Sequence, residues 1–294
     1  MLTIGVLCSG GLGLETLTKT AKHHTIQFVL TDSKSIEIIE FSRENDIPCF
    51  AGNPRNNKGY HFIKNLDVDV IVSINYLFLI EKDIINHSKI LTFNLHGSLL
   101  PKYRGRTPHV WAIINGEIEA GVTAHVIDEG CDTGNIIHQL VVPILLDDTG
   151  AMMLEKYARL YYPLVEKVLQ AIVSNTLILK GQDEDEATYF GKRTPDDGEI
   201  NWNSSKEDIR NWVRAQANPY PGAFSYYNTK KIIIDKVSFY KEEVDTRQYG
   251  IGEIIKVHPK VLVKCKNGVI VLDVIRTENC TFAKGKTFGN ENRE

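Results

Sequence analysis

Cysteine is scarce in this 294-residue chain: Cys8, Cys49, Cys131, Cys265 and Cys280 are scattered, odd in number and never spaced as CxxC. That usage argues for reduced thiols and against a disulfide framework, and no metal site is expected. Long apolar runs are missing as well. No window is long enough to span a bilayer, so no membrane partner is expected. The opening MLTIGVLCSGGLG lacks a basic flank and a small-residue cleavage site, and on that ground the chain reads as cytoplasmic. An excess of one charge is also lacking, because 34 Lys and Arg face 37 Asp and Glu for a net charge of −3. A protein that grips phosphate backbones would be more basic in at least one domain, so no nucleic acid partner is expected. Repeats and low-complexity tracts are absent too.

What is present is ordinary globular material, 43% hydrophobic and 24% charged, enough to bury a core. The length suits one large domain plus a smaller appendage. TIGVLCS reads as a buried strand, Gly10, Gly11 and Gly13 open a turn into a helix, and IQFVLTD and VDVIVSIN read as further strands. SIEIIEFSRENDI reads as a helix ending near Pro48. Strands alternating with helices imply a doubly wound, mostly parallel sheet. GVTAHVID and NIIHQLVV flank the loop EGCDTG and read as an antiparallel pair. Over residues 149–174, Met153, Leu154, Tyr157, Leu160 and Tyr161 recur at helical spacing, with Pro163 expected to kink or open the helix. Ser204 with Glu207 suggests a capping box for a helix through Gln216. Beyond Tyr220 several short β-like stretches suggest a small open barrel. The expected class is therefore α/β, with the doubly wound domain over residues 1–203 and a β-rich, OB-like domain over residues 204–294.

The densest chemistry lies in NLHGSLLPKYRGRTP, residues 94–108, and in EGCDTG, which holds Asp132. KILTFNLH reads as a short buried strand, and Asn94 and His96, two apart on extended backbone, leave the same face. Ligands of open α/β sheets bind beyond the carboxyl ends of the strands. An amide there offers N–H donors to a developing oxyanion. An imidazole of ordinary pKa about 6.5 exchanges protons near neutrality, and a carboxylate orients its ring and favours the protonated form. The neighbouring Lys102, Arg104 and Arg106 suit an anionic substrate, since guanidinium pairs well with phosphate. Taken singly, His96 reads as a structural strand-end residue, Asn94 as a turn residue and Asp132 as a turn former before Gly134. Together they read as an acyl-transfer centre. A dinucleotide-binding oxidoreductase is the first rival, from GGLG and Asp32, but the third small residue of that fingerprint would fall on Thr16.

These residues resemble the signature of the folate-dependent formyltransferases. FGKRTPDDGEINW (residues 190–202) and VRAQANPYPGAFSYY (residues 213–227) extend the resemblance, closest to the bacterial nucleotide-sugar N-formyltransferases. The resemblance implies a Rossmann-like catalytic domain in which Asn94, His96 and Asp132 form the catalytic triad. Whether the histidine serves as base, acid or oxyanion donor stays open. It implies N10-formyltetrahydrofolate as co-substrate, read largely by backbone groups around Phe78, Leu79 and Ile80 and around Asp128 and Cys131. It implies a nucleotide-sugar substrate held by Ser98, Lys102, Tyr103, Arg104, Gly105 and Arg106, with Arg193 and Tyr220 contributing; for Ser98 local packing is the competing role. The expected acceptor is dTDP-4-amino-4,6-dideoxyglucose, for surface polysaccharides such as the O-antigen of lipopolysaccharide, and the expected assembly is a homodimer. UDP-4-amino-4-deoxy-arabinose is the alternative sugar. Methionyl-tRNA formylation is the alternative activity, disfavoured because AGNPRNNKGYH is short and only mildly basic.

Overall fold

The all-apolar stretches near the amino terminus become the inner strands of a sheet, as expected where both faces are covered. A computed structural model describes residues 2–277 and 280–289. Strand β1 (Thr3–Cys8) leads into helix α1 (Gly10–Thr20), followed by β2 (Thr25–Thr31), α2 (Ile36–Glu44), β3 (Cys49–Ala51) and α3 (Lys58–Ile63). Then come β4 (Val70–Ile74), α4 (Lys82–Ile85) and β5 (Leu91–His96). A two-residue strand β6 (Arg104–Gly105) precedes α5 (Pro108–Ile114), β7 (Glu119–Val126), β8 (Ile136–Pro143) and α6 (Gly150–Val173). The sheet runs β3-β2-β1-β4-β5-β7-β8. Its first five strands are mutually parallel. β7 then lies antiparallel to β5, and the Val126 N–H donates to the Asn135 carbonyl at the start of the return into β8. Helix α6 runs unbroken across Pro163.

At the first turn Gly10 adopts φ 63°, and a Cβ on Gly13 would lie 2.9 Å from that of Cys8. The glycines therefore serve a tight strand-to-helix turn. The Asp32 carboxylate accepts from the Lys34 N–H at 2.8 Å and the Ser35 hydroxyl at 2.6 Å, which ties it to its own turn.

Contacts divide the chain into two compact units: Met1–Pro108, Ala120–Val142 and Glu155–Phe190 form the first, and His109–Glu119, Pro143–Leu154 and Gly191–Glu294 the second. β9 (Tyr189–Phe190) closes the first unit by pairing in parallel with β6. The second contains α7 (Lys206–Ala215) and an antiparallel sheet of β10 (Ala223–Tyr227), β11 (Lys230–Phe239), β12 (Ile254–Lys256), β13 (Val261–Cys265) and β14 (Gly268–Ile275), ordered β10-β11-β14-β13-β12. Residues 191–203, placed by sequence in the first domain, fall in this unit because Ile200 and Trp202 are buried with Ile209, Val213, Ile234 and Leu272. The cap of α7 also differs by one residue. Ser205, not Ser204, accepts from the Asp208 N–H at 3.0 Å.

Candidate active site

β5 places Asn94 and His96 on one strand, and its antiparallel pairing with β7 sets His125 opposite Asn94 and Thr123 opposite His96. The hairpin loop after β7 then carries Asp132 back over the strand end. Its carboxylate lies 3.5 Å from His96 Nδ1 by one oxygen and 3.5 Å from His125 Nε2 by the other. Asn94 Nδ2 is 3.2 Å from the same His125 nitrogen. Four side chains thus converge, one more than the sequence indicated. His125 was missed because GVTAHVID reads as a plain strand, and only the register with β5 exposes the pairing.

The protonation logic follows from the partners. His96 Nε2 donates to the Tyr103 carbonyl at 2.8 Å, so Nδ1 is the ring atom left to gain or lose a proton. Burial pulls the His96 pKa below its ordinary value, against the opposing charge of Asp132 and the Tyr103 carbonyl. His125 Nδ1 donates to the Val126 carbonyl at 2.9 Å, and its Nε2 faces both the Asn94 amide and the Asp132 carboxylate. The Asn94 amide carries a second N–H that can meet a ligand. Burial would raise the Asp132 pKa, but His125, His96 and the Gly105 N–H (2.9 Å) together hold it far below the carboxylate range. Asp132 itself sits at φ 58°, a left-handed conformation that Asp tolerates better than most residues.

The other residues singled out by sequence separate into groups. Phe78 and Ile80 are half-buried and Leu79 is 71% exposed, on a stretch without regular secondary structure. Asp128 accepts from the Gly130 N–H and the Thr133 hydroxyl, which folds the loop onto itself, and Cys131 is exposed beside Asp132. Lys82, the first residue of α4, pairs with Glu129 of the second loop at 2.7 Å. Lys102 and Arg106 project as exposed cations. Tyr103 is buried and stacks on Phe190 at 5.1 Å.

Three of the residues expected to meet the substrate have partners within the chain. Arg104 is 0% exposed, paired with Glu184 and bound to Gln182 and Tyr189, so its guanidinium is already committed. Ser98 is buried and donates to the Lys102 carbonyl at 2.7 Å, which shapes the loop. In the second unit Arg193 lies between the rings of Trp111 and Trp212, 5.1 and 4.3 Å from their centroids, and donates to Gln216. Tyr220, in the same unit, is half-buried with its hydroxyl 3.0 Å from His109 Nε2. Gly105 adopts φ 97° and faces the Phe190 carbonyl, where a Cβ would collide, so its role is to let β6 meet β9. Among the described residues no cluster of His, Cys, Asp and Glu could hold a metal ion, and no helix is long and apolar enough to cross a membrane.

Comparison with known proteins agrees with this layout. The family model described as formyl transferase matches residues 9–169, and that described as formyl transferase, C-terminal domain, matches residues 192–293. Among solved structures, WlaRD, a sugar 3N-formyl transferase in the presence of dTDP and 5-N-formyl-THF, is 24% identical with a TM-score of 0.72, covering 92% of this chain and 97% of that one. An N-formyltransferase from Helicobacter canadensis in complex with folinic acid and dTDP-3-aminofucose is 24% identical, with a TM-score of 0.71 and coverage of 92% and 99%. A 4-N formyltransferase from Francisella tularensis is 21% identical, with a TM-score of 0.67 and coverage of 83% and 99%. At these identities the structures establish a shared fold.

Proposed function

Because this chain belongs to the formyl transferase family, we propose that it moves a formyl group from N10-formyltetrahydrofolate to the amine of a nucleotide-linked amino-deoxy sugar. The convergence of Asn94, His96 and Asp132 at the end of β5 carries this reading. The reaction forms a C–N bond to the sugar amine, breaks the C–N bond to the donor nitrogen, and moves one proton from the attacking to the departing nitrogen. Asn94 supplies an N–H to the carbonyl oxygen as charge develops there, a contribution of roughly 3–4 kcal/mol in other acyl-transfer enzymes. His96 exchanges the proton at Nδ1, and the Asp132 carboxylate stabilises the ring while it is charged.

The loops at residues 76–80 and 128–132 suit a flat donor. Leu77 and Leu79 supply exposed apolar surface, and the irregular backbone can present N–H and C=O groups to a ring edge. Lys102 and Arg106 are the cations we assign to the diphosphate. dTDP-4-amino-4,6-dideoxyglucose is our first acceptor, for a surface polysaccharide. An amine on C3 is the second reading, supported by the likeness to a sugar 3N-formyl transferase and to an N-formyltransferase in complex with dTDP-3-aminofucose. UDP-4-amino-4-deoxy-arabinose and charged initiator tRNA rank lower, the latter because the chain carries a net charge of −3. A cytoplasmic homodimer belongs to the same proposal.

The test is a panel of dTDP-, UDP- and GDP-linked 3- and 4-amino sugars and charged initiator tRNA, each with N10-formyltetrahydrofolate, read by mass spectrometry. We expect one formyl group on a nucleotide-linked amino sugar. Turnover confined to the tRNA would overturn the choice of acceptor.

A further inference from the structure

Arg104 has five N–H donors, and all five are used. Nε and Nη2 donate to Gln182 Oε1 at 3.1 and 2.8 Å, Nη1 and Nη2 to the two Glu184 oxygens at 2.9 and 2.7 Å, and Nη1 to the Tyr189 hydroxyl. The guanidinium also lies 5.2 Å from the centroid of the Tyr189 ring. On the far side of the Gln182 amide, Nε2 donates to the Asp132 carbonyl at 2.8 Å and the Gly134 carbonyl at 2.7 Å. The amide orientation is therefore unambiguous: its oxygen faces a cation and its nitrogen faces two carbonyls. Turning it over would set N–H against guanidinium and oxygen against oxygen.

A second link reaches the same residue from the other direction. Gly105, the neighbour of Arg104, donates its N–H to Asp132 Oδ2 at 2.9 Å. β6 is in turn held by β9, with Arg104 opposite Tyr189 and Gly105 opposite Phe190. The segment at residues 182–190 thus fastens both the backbone and the carboxylate of Asp132.

We propose that Arg104 and Gln182 are positioning residues for formyl transfer, clamping Asp132 in its left-handed conformation so that one carboxylate spans His96 and His125. This rests on the catalytic reading of Asp132 given above. The clamp acts through Asp132 and touches no substrate. Without it, the loop between β7 and β8 keeps its turn but loses the fixed aim of its acid.

The test uses the full chain with Gln182→Glu, which keeps the partner of Arg104 but cannot donate to the two carbonyls. Gln182→Met serves as a near-isosteric second variant if the first fails to fold, and Arg104→Lys removes the fork. Expected is a fall in kcat of about tenfold to a hundredfold, as small misplacements produce, with both KM values within about a factor of two. The ring titration of His96, followed by NMR on histidine-labelled protein, should move to lower pH in Gln182→Met and Arg104→Lys, which add no new acid, because the carboxylate that favours its protonated form is no longer aimed at it. That titration needs no substrate, so it tests the clamp even if no amino sugar is formylated. Unchanged kcat and an unmoved His96 titration in folded variants would overturn the proposal. So would a loss of thermal stability with neither kcat nor the His96 titration altered.

Discussion

At the scale of residues, the site is an amide, two imidazoles and a carboxylate with separable tasks. Asn94→Ala should lower kcat by about 100-fold or more, the usual cost of one oxyanion donor, with circular dichroism unchanged; steady-state kinetics on folded protein checks it. Asp132→Asn should shift the pH midpoint of kcat downward. Burial already lowers the His96 pKa and only the carboxylate and the Tyr103 carbonyl oppose it, so removing the acid leaves desolvation less opposed. A midpoint that rose or stayed put would contradict this account. The proximity of Asn94, His96 and Asp132 was legible in NLH and DTG because their residue types and spacing are unusual together, while their part in catalysis is what these variants test. His125 was not, since a histidine in an otherwise apolar strand carries no signal until the cross-strand register is known.

At the scale of elements, β6 with its partner β9 is only two residues long, yet it orients the loop that meets Asp132. Gly105→Ala should disrupt that pairing, because φ 97° disfavours a side chain and a Cβ would meet the Phe190 carbonyl. A loss of stability of about 1–3 kcal/mol with a larger loss of kcat is expected from denaturation and rate measurements on the same variant. The sequence showed Lys102, Arg104 and Arg106 as one basic run, but the structure divides it. Arg104 is consumed by Gln182, Glu184 and Tyr189, which lie far along the chain, and no local pattern announces such partners. The parallel strands were legible for the opposite reason, since continuous apolar runs are a local property. The helix cap shifted by one residue because two serines stand side by side and backbone geometry chooses between them.

At the scale of the whole molecule, the β-rich second part was legible from the change in pattern after Tyr220, whereas the packing of Ile200 and Trp202 into a core built from later strands has no local signal. The second unit also carries an acid-sensitive group. Burial lowers the pKa of His109 from 6.5 to about 4. The unfolded chain therefore takes up this proton first as pH falls, and the stability His109 confers while neutral is lost between about 6.5 and about 4. His109→Gln should flatten that limb of the urea midpoint against pH; an unaltered slope would refute the assignment. The three tryptophans, Trp111, Trp202 and Trp212, all belong to this second unit. Indole emission during denaturation will consequently come from residues of that unit. A signal that belongs to the surroundings of Asn94 and His96 calls for a tyrosine reporter or an indole introduced beside β5.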